Sequence, residues 1–537
     1  MANDPAPLHA VHEGVHTEPA GAEAAPSGDP KAGGDAPLSR QKTTVALGVL
    51  IALVALPHLV PPSRSPAWLT RLRIGQLPWE APADTDERDA RDGTKPPTAP
   101  PAASAGETAL RAAGNQATEA NALPSHGSAS APLDPEVLAK TAGSLAIDDP
   151  TGHALDAFYT QLAATAAKQP GAVTRILHYG DSVITSDYIS GTLRRRMQAR
   201  YGDAGHGFIL VANPWEWYFH NDVVHYAGEG WNANRITGPF TNDRQYGLGG
   251  VTFHGQGGAI ATFGAADKGD YGRAVSRFDV YYLAQPGGGD FEVQSGDKTE
   301  RVSTRAETKS SKVHSFRVED GPRKMRLRAV GGGDVRLFGV VLERDVHDVP
   351  GAPPAPGAVG VVYDALGANG AQSLLWVPMD DGHWREQMTL RKPSLVVLQF
   401  GTNESEAPVF SEASYERTLT TVLLKVKAAA QGASVMLAAP LDRGERSAGV
   451  VKTKKIIPKI VASQKKVALA NGCAFWNTYE AMGGEGTIGR WLKAKPALAS
   501  SDLTHPTPAG AEAIGVLFEK AIVAGLDARQ ARGDAGP

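Results

Sequence analysis

The chain has 537 residues, room for two or three domains, and its 54 basic against 57 acidic side chains leave a formal net charge of −3. That near balance excludes the strongly basic surface that a nucleic-acid partner requires. The lone cysteine, Cys473, excludes an internal disulfide framework, and between Gly472 and Ala474-Phe475-Trp476 it is expected to pack as a small apolar group in a buried strand.

Residues 1–42 are rich in Ala, Pro, Gly and acidic side chains, a composition that cannot bury enough apolar surface to fold. An uncharged apolar run over 43–60 reaches about the ~18 residues that a membrane-spanning helix needs. It starts late and no clean small-residue cleavage site follows, so it reads as one transmembrane anchor rather than a removed signal. Arg40 and Lys42 precede the run while Arg64, Arg71 and Arg73 follow it, so charge leaves the orientation open. Residues 61–136, dominated from Pro82 by Pro, Ala, Ser and Thr, read as a flexible tether.

Globular sequence starts near residue 137. Leu155, Phe158, Tyr159 and Leu162 recur at helical spacing, Ala172–Leu177 reads as a short buried strand, and Tyr188, Ile189, Thr192, Leu193 and Met197 are helical again. Arg194, Arg195 and Arg196 are expected on the opposite face of that second helix. Between strand and helix stands His178-Tyr-Gly-Asp-Ser182. A serine on such a turn lies where helix-start N–H groups favour negative charge. Given a base it can attack a carbonyl, and its own N–H can help hold the oxyanion. Asp181 reads as a turn-bracing residue rather than a catalytic acid. Gly-Asp-Ser alone is a common loop sequence, so its meaning depends on partners further along.

The glycine-rich loop 201–207 lacks the G-x-G-x-x-G frame of a dinucleotide site. The aromatic cluster Trp215, Trp217, Tyr218, Phe219 and His220 reads as core or interface before a sugar platform. From Trp231 to Arg344 short alternating runs and close turns predict antiparallel strands, so residues 215–345 are expected to form an inserted β-sandwich. It would either bind a polysaccharide or shape the rim of a neighbouring site. His178, His206, His220 and His254 show no metal-ligand spacing and read as structural or surface residues, and no metal or cofactor is expected. Residues 346–357 are a Pro/Gly/Ala linker.

Beyond the linker, strands are expected at Ala358–Tyr363, Ser394–Phe400, Ser434–Ala439 and Ala474–Trp476. Helices are expected over about 414–431, 451–470 and 508–526. This alternation predicts a parallel sheet covered on both faces, with ligands outside the carboxyl ends of its strands. Ser182, Gly370, Asn403 and the loop holding Asp502 and His505 all fall on connections at that edge.

Four stretches, Gly180-Asp181-Ser182, Gly367-Ala-Asn-Gly370, Gly401-Thr-Asn403 and Asp502-Leu-Thr-His505, resemble in order and spacing the SGNH (GDSL-like) hydrolase family. The resemblance implies a three-layer α/β/α, flavodoxin-like parallel sheet split into 137–214 and 358–528 around the inserted sandwich. It implies Ser182 as nucleophile, His505 as general base and later acid, and Asp502 as the residue that orients the imidazole. The oxyanion would be held by the N–H groups of Ser182 and Gly370 and the Asn403 side-chain amide. Gly367 is a second candidate in its block, and Gly370 is preferred as nearer the helix start. Where the family commonly has Asn-Asp, this chain has Asn403-Glu404, a longer acid expected to brace the loop. The insertion looks like that of the family's peptidoglycan O-acetylesterases. The expected function is a membrane-anchored serine esterase that removes O-acyl, chiefly acetyl, groups from an extracytoplasmic polysaccharide. The alternatives are an O-acetyltransferase with the same triad, or a polysaccharide-binding protein with a vestigial site.

Overall fold

The computed structural model describes residues 146–255, 257–344 and 358–533. The expected unfolded segment, anchor and tether (1–136) and the linker at 346–357 lie outside the described residues. No helix among the described residues is long and apolar enough to cross a membrane.

Five parallel strands form the central sheet, in the order Gly360–Gly367, Val173–Gly180, Leu395–Gln399, Ser434–Ala438, Ala474–Trp476. Numbered along the chain this is 2-1-3-4-5, the flavodoxin-like order, whose direction of winding reverses between its first and third strands. The strands are apolar on both faces because both are covered. In Val173–Gly180, Leu177 and Tyr179 enter one core and Ile176 the other. One layer brings Phe158, Leu193 and Phe518 from helices Asp156–Ala166, Tyr188–Tyr201 and Pro508–Arg532. The opposite layer brings Trp384, Val422 and Ile460 from helices Asp381–Arg391, Glu412–Ala429 and Ile456–Ala470.

The inserted region is a pair of antiparallel sheets, one of six strands and one of five, with Tyr282 and Phe291 meeting between them at 5.4 Å. Its first strand, Gly207–Ile209, pairs with Val340–Leu342, so the β region draws in residues ahead of the boundary expected at 215. Its core is continuous with that of the parallel sheet: Phe278, Val340 and Leu327 belong to the same buried cluster as Tyr179, Trp376 and Leu398. Trp215 and Tyr218 lie in that core, as expected of the aromatic cluster.

A buried ion cluster crosses the same seam. Glu343, ending the last insert strand Val335–Glu343, accepts from Arg175 of the strand Val173–Gly180 at 2.8 and 2.9 Å and from Arg391 at 2.6 Å, and also pairs with Arg277. Arg391 in turn bonds Asp364 at 2.5 and 2.9 Å. Burial raises the Glu343 carboxyl, but Arg391 and Arg175 outweigh it and hold the group well below its ordinary range.

Three local expectations are corrected. The strand at Gly360 continues through Asp364 to Gly367, because Arg391 neutralises an aspartate that reads as a strand end. Residues 450–453 are a strand paired with Gly444–Ser447, not the start of a helix. Ala448 and Gly449 both have positive φ (49° and 77°), the two-residue turn that closes such a ribbon. Arg194 does not face solvent: it is buried, bonding Asp187 at 2.9 and 3.1 Å and Asp222 at 3.3 Å.

Candidate active site

Ser182 stands just past the strand Val173–Gly180, opening a single helical turn, Ser182–Thr185, rather than the long helix itself. Asp181 caps that turn, its Oδ1 accepting from the Val183 N–H at 3.1 Å, the bracing role read from sequence. Asp187, with φ 53°, then redirects the chain into the helix Tyr188–Tyr201. Close packing under the turn requires glycine in the neighbouring strand, since a Cβ on Gly367 would meet the Thr185 nitrogen at 2.3 Å.

Ser182 Oγ lies 2.8 Å from His505 Nε2, and His505 Nδ1 lies 2.6 Å from Asp502 Oδ2. The other oxygen, Asp502 Oδ1, accepts from the N–H groups of Thr504 at 2.9 Å and His505 at 3.0 Å, so a four-residue loop fixes carboxylate and imidazole together. Burial would raise the Asp502 carboxyl, but the hydrogen bond and charge of His505 and these N–H groups hold it at about 2. An ionised carboxylate can only accept, so Nδ1 donates to Asp502, and in the neutral imidazole Nε2 then presents its lone pair to the Ser182 hydroxyl. That is the protonation state in which His505 can take the serine proton.

Gly370 lies on the loop after Gly360–Gly367 with φ 73°, a left-handed conformation that favours glycine. Among the described residues, no protein acceptor takes the N–H of Ser182 or of Gly370. Asn403 follows the third strand of the sheet. Its Nδ2 donates to the Ala371 carbonyl at 2.9 Å, which leaves a second hydrogen on the same nitrogen and ties the two loops together. Gly180 pairs with Gly367 on one side and Gln399 on the other, so the three donor-bearing loops leave adjacent strands at the switch point of the sheet.

Glu404 braces both donor loops. Its buried carboxylate accepts from Ser373 N at 2.8 Å and Ser373 Oγ at 3.0 Å on one loop, and from Gly401 N at 3.0 Å on its own. Burial lifts this carboxyl to about 7, against the pull of the Ser373 N–H. Arg443 was not singled out from sequence. From the loop after Ser434–Ala438 its Nη1 donates to the Thr402 carbonyl and to Ser405 Oγ, each at 2.8 Å, and its Nε donates to Thr504 Oγ1 at 3.0 Å. It thus joins the Asn403 loop to the His505 loop. The available signal was position: a charged Asp442-Arg443 pair shortly after the buried strand Ser434–Ala438, at the carboxyl edge of the sheet.

Among the described residues, one other cluster gathers ligand-type atoms: Asp187, His206 and His220, within 4.8 Å of one another. The carboxylate is already committed to the buried Arg194 guanidinium, and His206 Nε2 and His220 Nδ1 face each other at 3.0 Å. Burial and the Arg194 charge push both imidazoles down, His220 to about 4. With a guanidinium in contact the donor set does not fit a metal cation. His178 is also buried, its Nδ1 at 2.7 Å from the Tyr363 hydroxyl, and His254 pairs with Asp334 at 2.9 Å.

Residues 341–513 match the model of the GDSL-like lipase/acylhydrolase family. That span holds Gly370, Asn403, Asp502 and His505, while Ser182 lies upstream, on the far side of the insertion. Among solved structures, a peptidoglycan O-acetylesterase is similar with a TM-score of 0.57 at 20% identity, covering 69% of this chain and 96% of that one. An acetyl xylan esterase (TM-score 0.24, 19% identity, 30% and 80% covered) also matches. So does a family two carbohydrate esterase from Cellvibrio japonicus (TM-score 0.22, 12% identity, 57% and 98% covered). No curated protein matches the chain. Residues 341–513 thus carry a GDSL-like lipase/acylhydrolase domain, and the strand order with four loops at one sheet edge makes the chain similar in fold to SGNH hydrolases, which supports an ester-cleaving enzyme.

Proposed function

We propose that the protein is a serine esterase that removes acetyl groups from a polysaccharide such as peptidoglycan. The observation that carries the reading is the hydrogen-bonded series Ser182 Oγ, His505, Asp502, with Nε2 directed at the hydroxyl. In the proposed reaction His505 Nε2 takes the Ser182 proton as Oγ bonds to the ester carbonyl carbon. The Ser182 and Gly370 N–H groups and the free Asn403 hydrogen hold the oxyanion. Collapse expels the sugar oxygen, which takes the proton from His505, and leaves an acetyl-enzyme. Water, deprotonated by His505, then attacks the acetyl carbonyl and releases acetate and free Ser182. The carbohydrate part of the reading is supported by the likeness in fold to a peptidoglycan O-acetylesterase. We further propose that the apolar run at 43–60 anchors the chain, with the catalytic head outside the cytoplasm.

The test is product partition. The purified protein is incubated with O-acetylated peptidoglycan and, separately, with an aryl acetate plus excess unacetylated glycan. Free acetate without acetylated sugar, lost in Ser182→Ala, is the expected result. Acetylated sugar above the water background would make the protein a transferase instead. For the anchor, an impermeant protease should release the head from spheroplasts, and protection would contradict the outward placement.

A further inference from the structure

A groove of about 230 Å³ opens beside the donor loops, between the 3₁₀ turn Ser373–Trp376 and the segment entering helix Glu412–Ala429. Leu374 lines one side, and Val409 and Phe410 the other. Its wall is the oxyanion brace itself: Gln372 Nε2 donates to the Asn403 carbonyl at 3.2 Å, and Glu404 holds Ser373. Val409 is 83% exposed, the most exposed of the large apolar side chains described, and sits beside a half-buried aromatic ring at the mouth of a concavity. A lone exposed valine means little, but an apolar lip on a groove walled by Gln372, two residues past Gly370, and by Glu404, next to Asn403, is where substrate contacts are made.

The chemistry of the lining narrows the occupant. Besides these apolar groups it offers neutral amide and hydroxyl groups, from Gln372, Ser411 and Ser414 among others, and it contains no lysine or arginine. Its one charged side chain, Glu404, has both oxygens engaged by Ser373 and Gly401. An anionic ligand would find no counter-charge there, and an aliphatic chain would leave the polar groups unpaired. A neutral sugar ring satisfies both sets, its C–H face on Phe410 and Val409 and its hydroxyls on the amide and hydroxyl groups.

We propose that this groove is a glycan subsite that receives an uncharged sugar unit neighbouring the acylated one, so that the enzyme senses chain length beside the reacting ester. This rests on the carbohydrate reading above. The experiment compares an acetylated monosaccharide, acetylated oligosaccharides of the same sugar and an aryl acetate, for the wild-type protein and for Phe410→Ala and Val409→Ser. In the wild type, kcat/KM should rise from monosaccharide to oligosaccharide. Each variant should lower that rise about tenfold, mainly through KM, the scale of losing one apolar contact face. The inference is overturned if the rise survives both substitutions, or if all three substrates lose kcat equally, which would mean a structural role. Turnover of the aryl acetate with none of any acetylated sugar would instead overturn the carbohydrate reading, and the subsite with it. A variant that fails to fold is recognised by loss of aryl acetate turnover, and Leu374→Ala on the opposite wall then supplies the same comparison.

Discussion

The carboxyl edge of the parallel sheet and the seam between that sheet and the inserted sandwich use charge in opposite ways. At the edge, charged side chains stand on loops and are partly open to solvent, each tied by hydrogen bonds that fix an orientation: Asp502 to His505, Arg443 to Thr402 and Thr504. At the seam, Glu343, Asp364 and Arg391 are buried among apolar residues and bond to one another. The edge has groups whose proton state can change during a reaction. The seam has groups whose charges must stay fixed, because an unpaired ion there would carry its whole desolvation cost. Substitutions at the edge should therefore remove activity and spare the fold, and those at the seam should do the reverse.

Ser182→Ala should cut ester turnover by on the order of 10⁴-fold or more while the unfolding midpoint stays put, as read by aryl acetate kinetics and thermal melts. Equal loss of stability would mean that Ser182 holds the turn rather than reacts. At the seam, Glu343→Ala removes the carboxylate shared by Arg175, Arg277 and Arg391, and should cost about 3–5 kcal/mol in urea unfolding, with activity retained where the protein is folded. A variant as stable as wild type would show that the insert is held by its apolar core alone. Asn403→Ala removes one of the proposed oxyanion donors and should lower kcat by about 10²–10³-fold with little change in KM. A change confined to KM would assign Asn403 to substrate binding.

Glu404 joins the two regions in character, being a buried ion at the edge. Its carboxyl sits at about 7 in the folded protein against an ordinary 4.5, so the folded state holds the proton more tightly than the unfolded chain. The stability contributed by that proton is full below about 4.5 and is lost as pH rises through 7, a change of roughly 3 kcal/mol. Asp502 acts in the opposite sense: its depressed carboxyl adds stability above its ordinary 3.8 that is lost as pH falls through about 2. Comparing unfolding free energies at pH 5 and pH 8 for wild type and Glu404→Gln isolates the first effect. The difference between the two proteins should change across that interval, and a constant difference would place the titration elsewhere.

Much of the edge was legible in sequence because it follows from topology. Buried strands announce themselves as apolar runs, and the residues after them, Ser182, Gly370, Asn403 and the Asp502–His505 loop, must lie at one end of a parallel sheet. The seam was not legible, since its charges come from five separate stretches, and Asp364 reads as a strand end until Arg391 is seen to neutralise it. Arg443 was missed for a related reason: its partners, hydroxyl and carbonyl oxygens and the Glu406 carboxylate, lie on other loops, and no sequence pattern links them to it. The hairpin at 444–453 was hidden because Val450 and Val451 extend the apolar pattern of the following helix, while Ala448 gives no sign of a positive φ.

The decisive measurement is mass spectrometry of the protein quenched during turnover of an acetylated substrate. If Ser182 is the nucleophile, the proteolytic peptide that carries it gains the mass of one acetyl group, and the adduct is absent in Ser182→Ala. An acetyl group on another side chain, or continued acetate release by Ser182→Ala without an adduct, would contradict the acyl-enzyme at Ser182.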